Sequence, residues 1–168
     1  MKQNWLKKLT MDFVVPAAIA LTLSLTIQKV AYAQILVNQD SMNQTYEEGD
    51  RLLENKWVYK LNEPERGDVV IIEPDFSGER LIKRVVAVAG DRFDIRDGQL
   101  YINDKVVEEP HALGNTMPKG MSIPTLVPAG HVIVLGDNRE NSKDSRDLGF
   151  VPNDSLEGKV EAKLWPWR

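Results

Sequence analysis

The 168-residue sequence contains no cysteine. That absence excludes disulfide staples, thiolate metal sites and a cysteine nucleophile together. Histidine is scarce, with only His111 and His131; the first lies in a proline-rich stretch and the second opens an apolar run, where a structural role is the ordinary one. A basic patch is also missing: the 21 lysines and arginines are scattered, aromatics make up 7%, and the net charge is −4. Nucleic acid is therefore excluded as a partner. No internal repeat, low-complexity tract or disorder-like charge excess interrupts the chain, whose residues are 42% apolar and 27% charged. The length suits one catalytic-size domain plus a tail.

The long apolar run of an unambiguous membrane span is lacking too. Phe13 to Ile27 is uncharged and mostly apolar, but fifteen helical residues reach only about 22 Å against a hydrocarbon core of roughly 30 Å. Continuing through Lys29 to Ala33 makes the span adequate, if Lys29 snorkels outward and Tyr32 lies at the headgroups, with Trp5 as an inner anchor. The expected organisation is a cytoplasmic tail at 1–12, a transmembrane anchor at 13–33 and an outer domain at 34–168. Lys2, Lys7 and Lys8 before the span, against Lys29 after it, place the amino terminus in the cytoplasm and the remainder outside the cell membrane. A cleavable signal peptide is the competing reading, with Ala31-Tyr32-Ala33 as the cleavage motif.

Beyond Gln34 the pattern changes to short β-branched runs punctuated by turn residues, which predicts an all-β domain. Strands are expected at 34–37, 68–72, 80–88, 92–96, 99–102 and 131–135, with Asp97-Gly98 as a hairpin turn. Residues 108–128, with four prolines and two glycines, predict an irregular loop.

Two segments have polarity out of place. In Leu81-Ile82-Lys83-Arg84-Val85 the two bases must face opposite sides of a strand. Lys83 shares its face with Leu81, Val85 and Ala87, and if that face is the inner one, burial lowers its pKa. The second segment is Gly-Asp-Asn-Arg-Glu-Asn-Ser-Lys-Asp-Ser-Arg, 136–146, directly after an apolar run. A calcium loop would need Gly at 142 and Glu at 148, where Ser142 and Leu148 stand. Asp144 and Arg146 can pair, and Ser142 offers a hydroxyl to a lysine.

With Asp40-Ser41-Met42, Arg66-Gly67-Asp68-Val69-Val70, Lys83-Arg84-Val85 leading to Gly90-Asp91, and the 136–146 block followed by Gly149, the chain resembles the type I signal peptidases over nearly its whole length. The small single-span Gram-positive forms are the nearest in style. The resemblance implies a signal-peptidase-like, mainly β catalytic domain with one amino-terminal transmembrane helix. It implies Ser41 as nucleophile, Lys83 as general base, Ser142 as the residue orienting the lysine, and Asp144 with Arg146 as a supporting ion pair. Gln39 and Met42 become candidates for the oxyanion and substrate-groove positions. No metal or cofactor is implied. The implied partners are signal peptides of exported preproteins, bound extended with small residues at −1 and −3, the lipid bilayer and the secretion translocon. A Ser-His-Asp triad is the weaker alternative. Trp165 and Trp167 are candidate interfacial contacts.

The segment around the nucleophile departs from the family, which usually reads Ser-Met-x-Pro-Thr-Leu. Here Gln44 replaces the proline, and Gln39 stands where Ser or Gly is usual. The expectation is retained activity with altered rate or preference. The alternative in a different class is a non-cleaving relative that holds pilin-like or other exported subunits during assembly.

Overall fold

The structure, a computed structural model, describes residues 10–166. Trp5, Lys2, Lys7, Lys8 and Trp167 lie outside the described residues, as does the side chain of Lys29. A π-helical turn, Thr10–Val14, leads into helix α1, Val15–Ala31. Pro16 falls in its first turn, where the missing N–H interrupts no intrahelical bond. Phe13, Val14, Ile19, Leu21 and Leu23 are all exposed. Among the described residues, no helix is long and apolar enough to cross a membrane.

The helix stops at Ala31 and strand β1, Tyr32–Leu36, begins at once. The strand expected from Gln34 thus starts two residues early and takes Tyr32 and Ala33 out of the helix. Its partner decides the matter: Lys56 N–H donates to the Ala31 carbonyl at 2.9 Å, and Tyr32 and Ala33 pair with Asn55 and Glu54. Ladder bonds outweigh local helical preference here, even that of Ala33.

The remaining strands are β2 Arg51–Asn55, β3 Val69–Ile72, β4 Leu81–Ala87, β5 Arg92–Arg96, β6 Gln99–Ile102, β7 Lys105–Val106, β8 Thr125–Leu126, β9 His131–Leu135, β10 Val151–Pro152 and β11 Leu156–Trp165. They form two antiparallel sheets, in the orders β1-β2-β11-β3-β4-β9-β10 and β7-β6-β5-β8. Three one-turn helices, α2 Val58–Leu61, α3 Pro74–Ser77 and α4 Ser145–Leu148, decorate them. The mainly β fold is as the sequence predicts.

The large sheet is buried on both faces. Val70, Ile72, Leu81, Val85, Val132 and Val134 pack together, while Val69 and Ile71 join Ile35, Val37, Met42 and Leu52 in a second cluster. Alternation along β9 sends Ile133 and Leu135 to a third cluster, shared with Phe93, Leu100 and Ile102 of the small sheet. The central β4 is therefore fixed in register against both β3 and β9, and a residue on it has little freedom of place.

Candidate active site

Lys83 lies on the inner face of β4 with Leu81 and Val85, as alternation predicts, and none of its surface is exposed. Its Nζ stands 2.8 Å from Ser41 Oγ and donates to the Ile82 carbonyl at 2.9 Å. Burial drives its pKa down to about 8, against the upward pull of Asp144, Glu79 and Asp137. At neutral pH a useful fraction of the amine is free to accept a proton. Ser41 sits in a 3-10 turn, Asp40–Met42, and is itself buried.

Arg84, on the opposite face, braces the same site from behind. Its Nε and Nη2 donate to the two carboxylate oxygens of Asp137 at 2.9 and 2.7 Å, and Thr45 Oγ1 donates to the same carboxylate. Asn138 N–H donates to the Ser41 carbonyl at 3.0 Å. The segment after β9 thus holds the Ser41 backbone, while β4 holds its hydroxyl. Gly136 permits this close approach, since a Cβ there would come within 2.6 Å of the Ser41 carbonyl oxygen and into Ser142. Arg84, Asp137, Thr45 and Asn138 carry no assigned role in the sequence reading. The signal available was Arg84's forced outward direction next to Lys83, with an acidic residue in the polar block to meet it.

Asp144 and Arg146 form the expected pair. Arg146 Nε and Nη2 donate to the two Asp144 oxygens, each at 2.8 Å, and neither side chain has any exposure. Asp144 also accepts from Gly136 N–H and caps α4 through Arg146 N–H. Burial pushes the Asp144 carboxyl upward, but the guanidinium and these backbone donors leave it below the usual carboxylate value.

Ser142 is brought to the site but not onto the lysine. It lines a cavity of about 240 Å³ with Ser41 and Lys83, yet its buried Oγ makes no hydrogen bond, although it stands close enough to Asp144 to help depress that carboxyl. Lys83 Nζ is already engaged by Ser41 and by Ile82.

Gln39 and Met42 both line a cavity of about 370 Å³ that opens beside Ser41. Met42 is buried in its floor, and the Gln39 amide donates outward to Glu79 at 3.2 Å. Gln44 occupies a left-handed position, φ 92°. Asn43 has φ −53° and ψ 137°, and Thr45 N–H donates to the Met42 carbonyl at 3.0 Å, so Met42 to Thr45 form a type II turn with Gln44 at its third place. Proline, locked near −65°, does not fit there.

The histidines stand apart from the Ser41–Lys83 contact. His131 Nδ1 meets the Ala129 carbonyl and its ring packs edge-on against Phe150. His111 Nε2 is 3.8 Å from Glu109 and 3.9 Å from Asp137, behind the brace.

A buried lysine at hydrogen-bond distance from a serine, locked by a buried carboxylate-guanidinium pair, is accompanied by a sequence match that runs through the same elements. The family model for "Signal peptidase, peptidase S26" matches residues 10–165. The chain belongs to the S26 signal peptidase family. Among S26 relatives, signal peptidase IB of Staphylococcus aureus (strain Mu50 / ATCC 700699) is 29% identical over 178 residues, covering 96% of this chain and 93% of its own. Signal peptidase I of Bacillus amyloliquefaciens is 35% identical over 158 residues, covering 89% and 82%. The crystal structure of a signal peptidase I from Enterococcus faecalis V583 matches with a TM-score of 0.50 and 31% identity, over 60% of this chain and 98% of that one.

Proposed function

We propose that this protein is a membrane-anchored endopeptidase that removes signal peptides from exported proteins, cutting after small residues at −1 and −3. The observation that carries the reading is the 2.8 Å approach of the fully buried Lys83 Nζ to Ser41 Oγ. Neutral Lys83 takes the Ser41 proton as the oxygen attacks the scissile carbonyl, and the Ile82 carbonyl fixes the direction of its lone pair. The Ser41 backbone N–H, at the start of a 3-10 turn, is the donor offered to the oxyanion. Protonated Lys83 then gives its proton to the leaving amine, and the ester is hydrolysed by water activated by the same nitrogen. Ser142 Oγ, unpaired in the resting site, is the acceptor that steadies the ammonium between these steps. Asp144 and Arg146 keep the segment from 136 to 146 in place.

Residues 13–31 are the proposed anchor, two fewer than the sequence suggests because Tyr32 and Ala33 belong to β1, with the amino terminus cytoplasmic and the chain from Tyr32 onward extracytoplasmic, where the translocon delivers preproteins. Support comes from the lysines before the run and from a row of exposed apolar side chains on α1. A holding role without cleavage has less support, because a lysine needs no burial beside a serine merely to bind peptide.

Cleavage of a signal-peptide substrate by detergent-solubilised protein, beside Ser41→Ala and Lys83→Ala, tests the reading. Cutting after Ala-x-Ala that both substitutions abolish is the expected result. Binding without cutting by the unaltered protein would move the holding role ahead.

A further inference from the structure

The cavity of about 370 Å³ beside Ser41 is walled by the backbone of β1 and by apolar side chains that include Met42, Ile71 and Ile82. Among its lining residues a single one is charged, Arg80. Arg80 immediately precedes β4, and alternation gives it the face of Ile82, away from Lys83.

Its position is built rather than incidental. Nη2 donates to Glu54 Oε2 at 2.8 Å and lies 2.7 Å from Glu157 Oε1, which also meets Lys56 Nζ at 2.8 Å. Glu54 is entirely buried in β2, and its other oxygen has no partner. Gly158 closes over it, since a Cβ there would come within 2.9 Å of Glu54 Cγ and Oε1. Sinking a carboxylate into a sheet beside an arginine carries a desolvation cost, and burial raises the Glu54 carboxyl against the downward pull of Arg80. Only Nη2 is engaged within the described residues, so Nε and Nη1 keep their N–H donors, and the side chain is 39% exposed.

An extended peptide in this cavity turns side chains −1 and −3 to the same wall, about 7 Å apart. With −1 beside Ser41, the next to face the wall is −3. Arg80 and Ser41 line the same cavity, and three residues of strand, about 10 Å, separate Arg80 from Lys83, a spacing that matches the reach from −1 to −3. An aliphatic −3 side chain would strip water from the free N–H groups and return no acceptor. A short acceptor-bearing side chain satisfies them.

We infer that Arg80, held by Glu54 and Glu157, forms the polar end of the −3 subsite and selects a short side chain with a hydrogen-bond acceptor, Ser, Thr, Asn or Asp, over an aliphatic one of the same size. This rests on the reading of the chain as a signal-peptide endopeptidase. It sets the substrate class of this protein apart from one defined by small size alone.

The test uses the full-length protein in detergent and signal-peptide substrates with Ala at −1, paired at −3 as Val against Thr and Leu against Asn. Cleavage is followed by kcat/KM and by the site cut. The unaltered protein should prefer Thr and Asn by about tenfold, the scale of a hydrogen bond to a charged donor. Arg80→Met should erase that preference. Because Arg80→Met strands Glu54, the double variant Arg80→Met/Glu54→Gln, checked for its melting temperature, keeps the result separate from a folding defect. Equal preference in the unaltered protein and the folded double variant would overturn the proposal, as would an unaltered preference for Val and Leu. Failure to cut even an Ala-x-Ala substrate would instead remove the peptidase reading on which it stands.

Discussion

Asp144 and Arg146, two residues apart, face each other through two parallel hydrogen bonds of 2.8 Å with no solvent on either side chain. Removing one partner leaves the other charged in the interior, so Asp144→Asn should cost about 3–5 kcal/mol in urea unfolding at pH 7. The same carboxylate pulls the Lys83 pKa upward, so surviving activity in Asp144→Asn should begin at lower pH. The native Asp144 carboxyl lies below its ordinary 3.8. Its contribution is therefore complete above that value and is lost as pH falls through the lower folded one.

Lys83 links both activity and stability to pH, and both rise as its proton leaves. The rate should rise as pH climbs through about 8, where the base loses its proton, and a kcat/KM profile reads this directly. Folding works against the same ammonium. Below pH 8 both states hold the proton and the folded state bears the full burial cost, about 3 kcal/mol for a shift from 10.5 to about 8. Between those values the unfolded chain binds more proton and stability climbs. Lys83→Met should be inactive yet more stable at pH 7, by up to about 3 kcal/mol less the two lost hydrogen bonds, and its advantage should shrink by pH 10.5. A constant difference across that range would refute the buried-base account.

Gln44 tests the altered segment after Ser41. Returning the family proline should not restore a better enzyme, because φ 92° is closed to it. Gln44→Pro should lower stability by about 1–3 kcal/mol and reduce turnover through displacement of Ser41. Gln44→Gly, which takes a left-handed angle without strain, should equal or exceed the parent in melting temperature.

Gly136 tests the other wall. Gly136→Ala puts a methyl group against Ser142 and the Ser41 carbonyl, and that carbonyl cannot retreat without breaking the bond from Asn138. Loss of kcat far exceeding any rise in KM is expected, since groove residues such as Ile82 and Arg80 are untouched.

Much of this was legible beforehand, and for physical reasons. The inner position of Lys83 follows from alternation with Leu81 and Val85, and three strands, 92–96, 99–102 and 131–135, carry apolar patterns strong enough to fix their ends. The strands expected from the sequence do not include β2 and β11, although β11 lies inside the large sheet, between β2 and β3. β11 carries a strand's alternation, Glu157, Lys159, Glu161 and Lys163 against Leu156, Val160, Ala162 and Leu164, but Gly158 interrupts its apolar face. The burial of Glu54 could not be read either, since its partner Arg80 lies 26 residues away. The Arg84 to Asp137 brace spans 53. Pairings between distant segments exist only once the sheet has formed.

If the chain cuts after Ala-x-Ala as proposed, the direct passage from α1 into β1 withholds its own such sequence from it. Ala31-Tyr32-Ala33 reads like a substrate, but its first alanine ends a helix and the other two residues are laddered to Asn55 and Glu54, with Gln34 joined to Leu53. A protease can thread only slack chain through its cleft. Here the tempting bond is spent as architecture, and offering it would mean unravelling the sheet edge that lines the cleft.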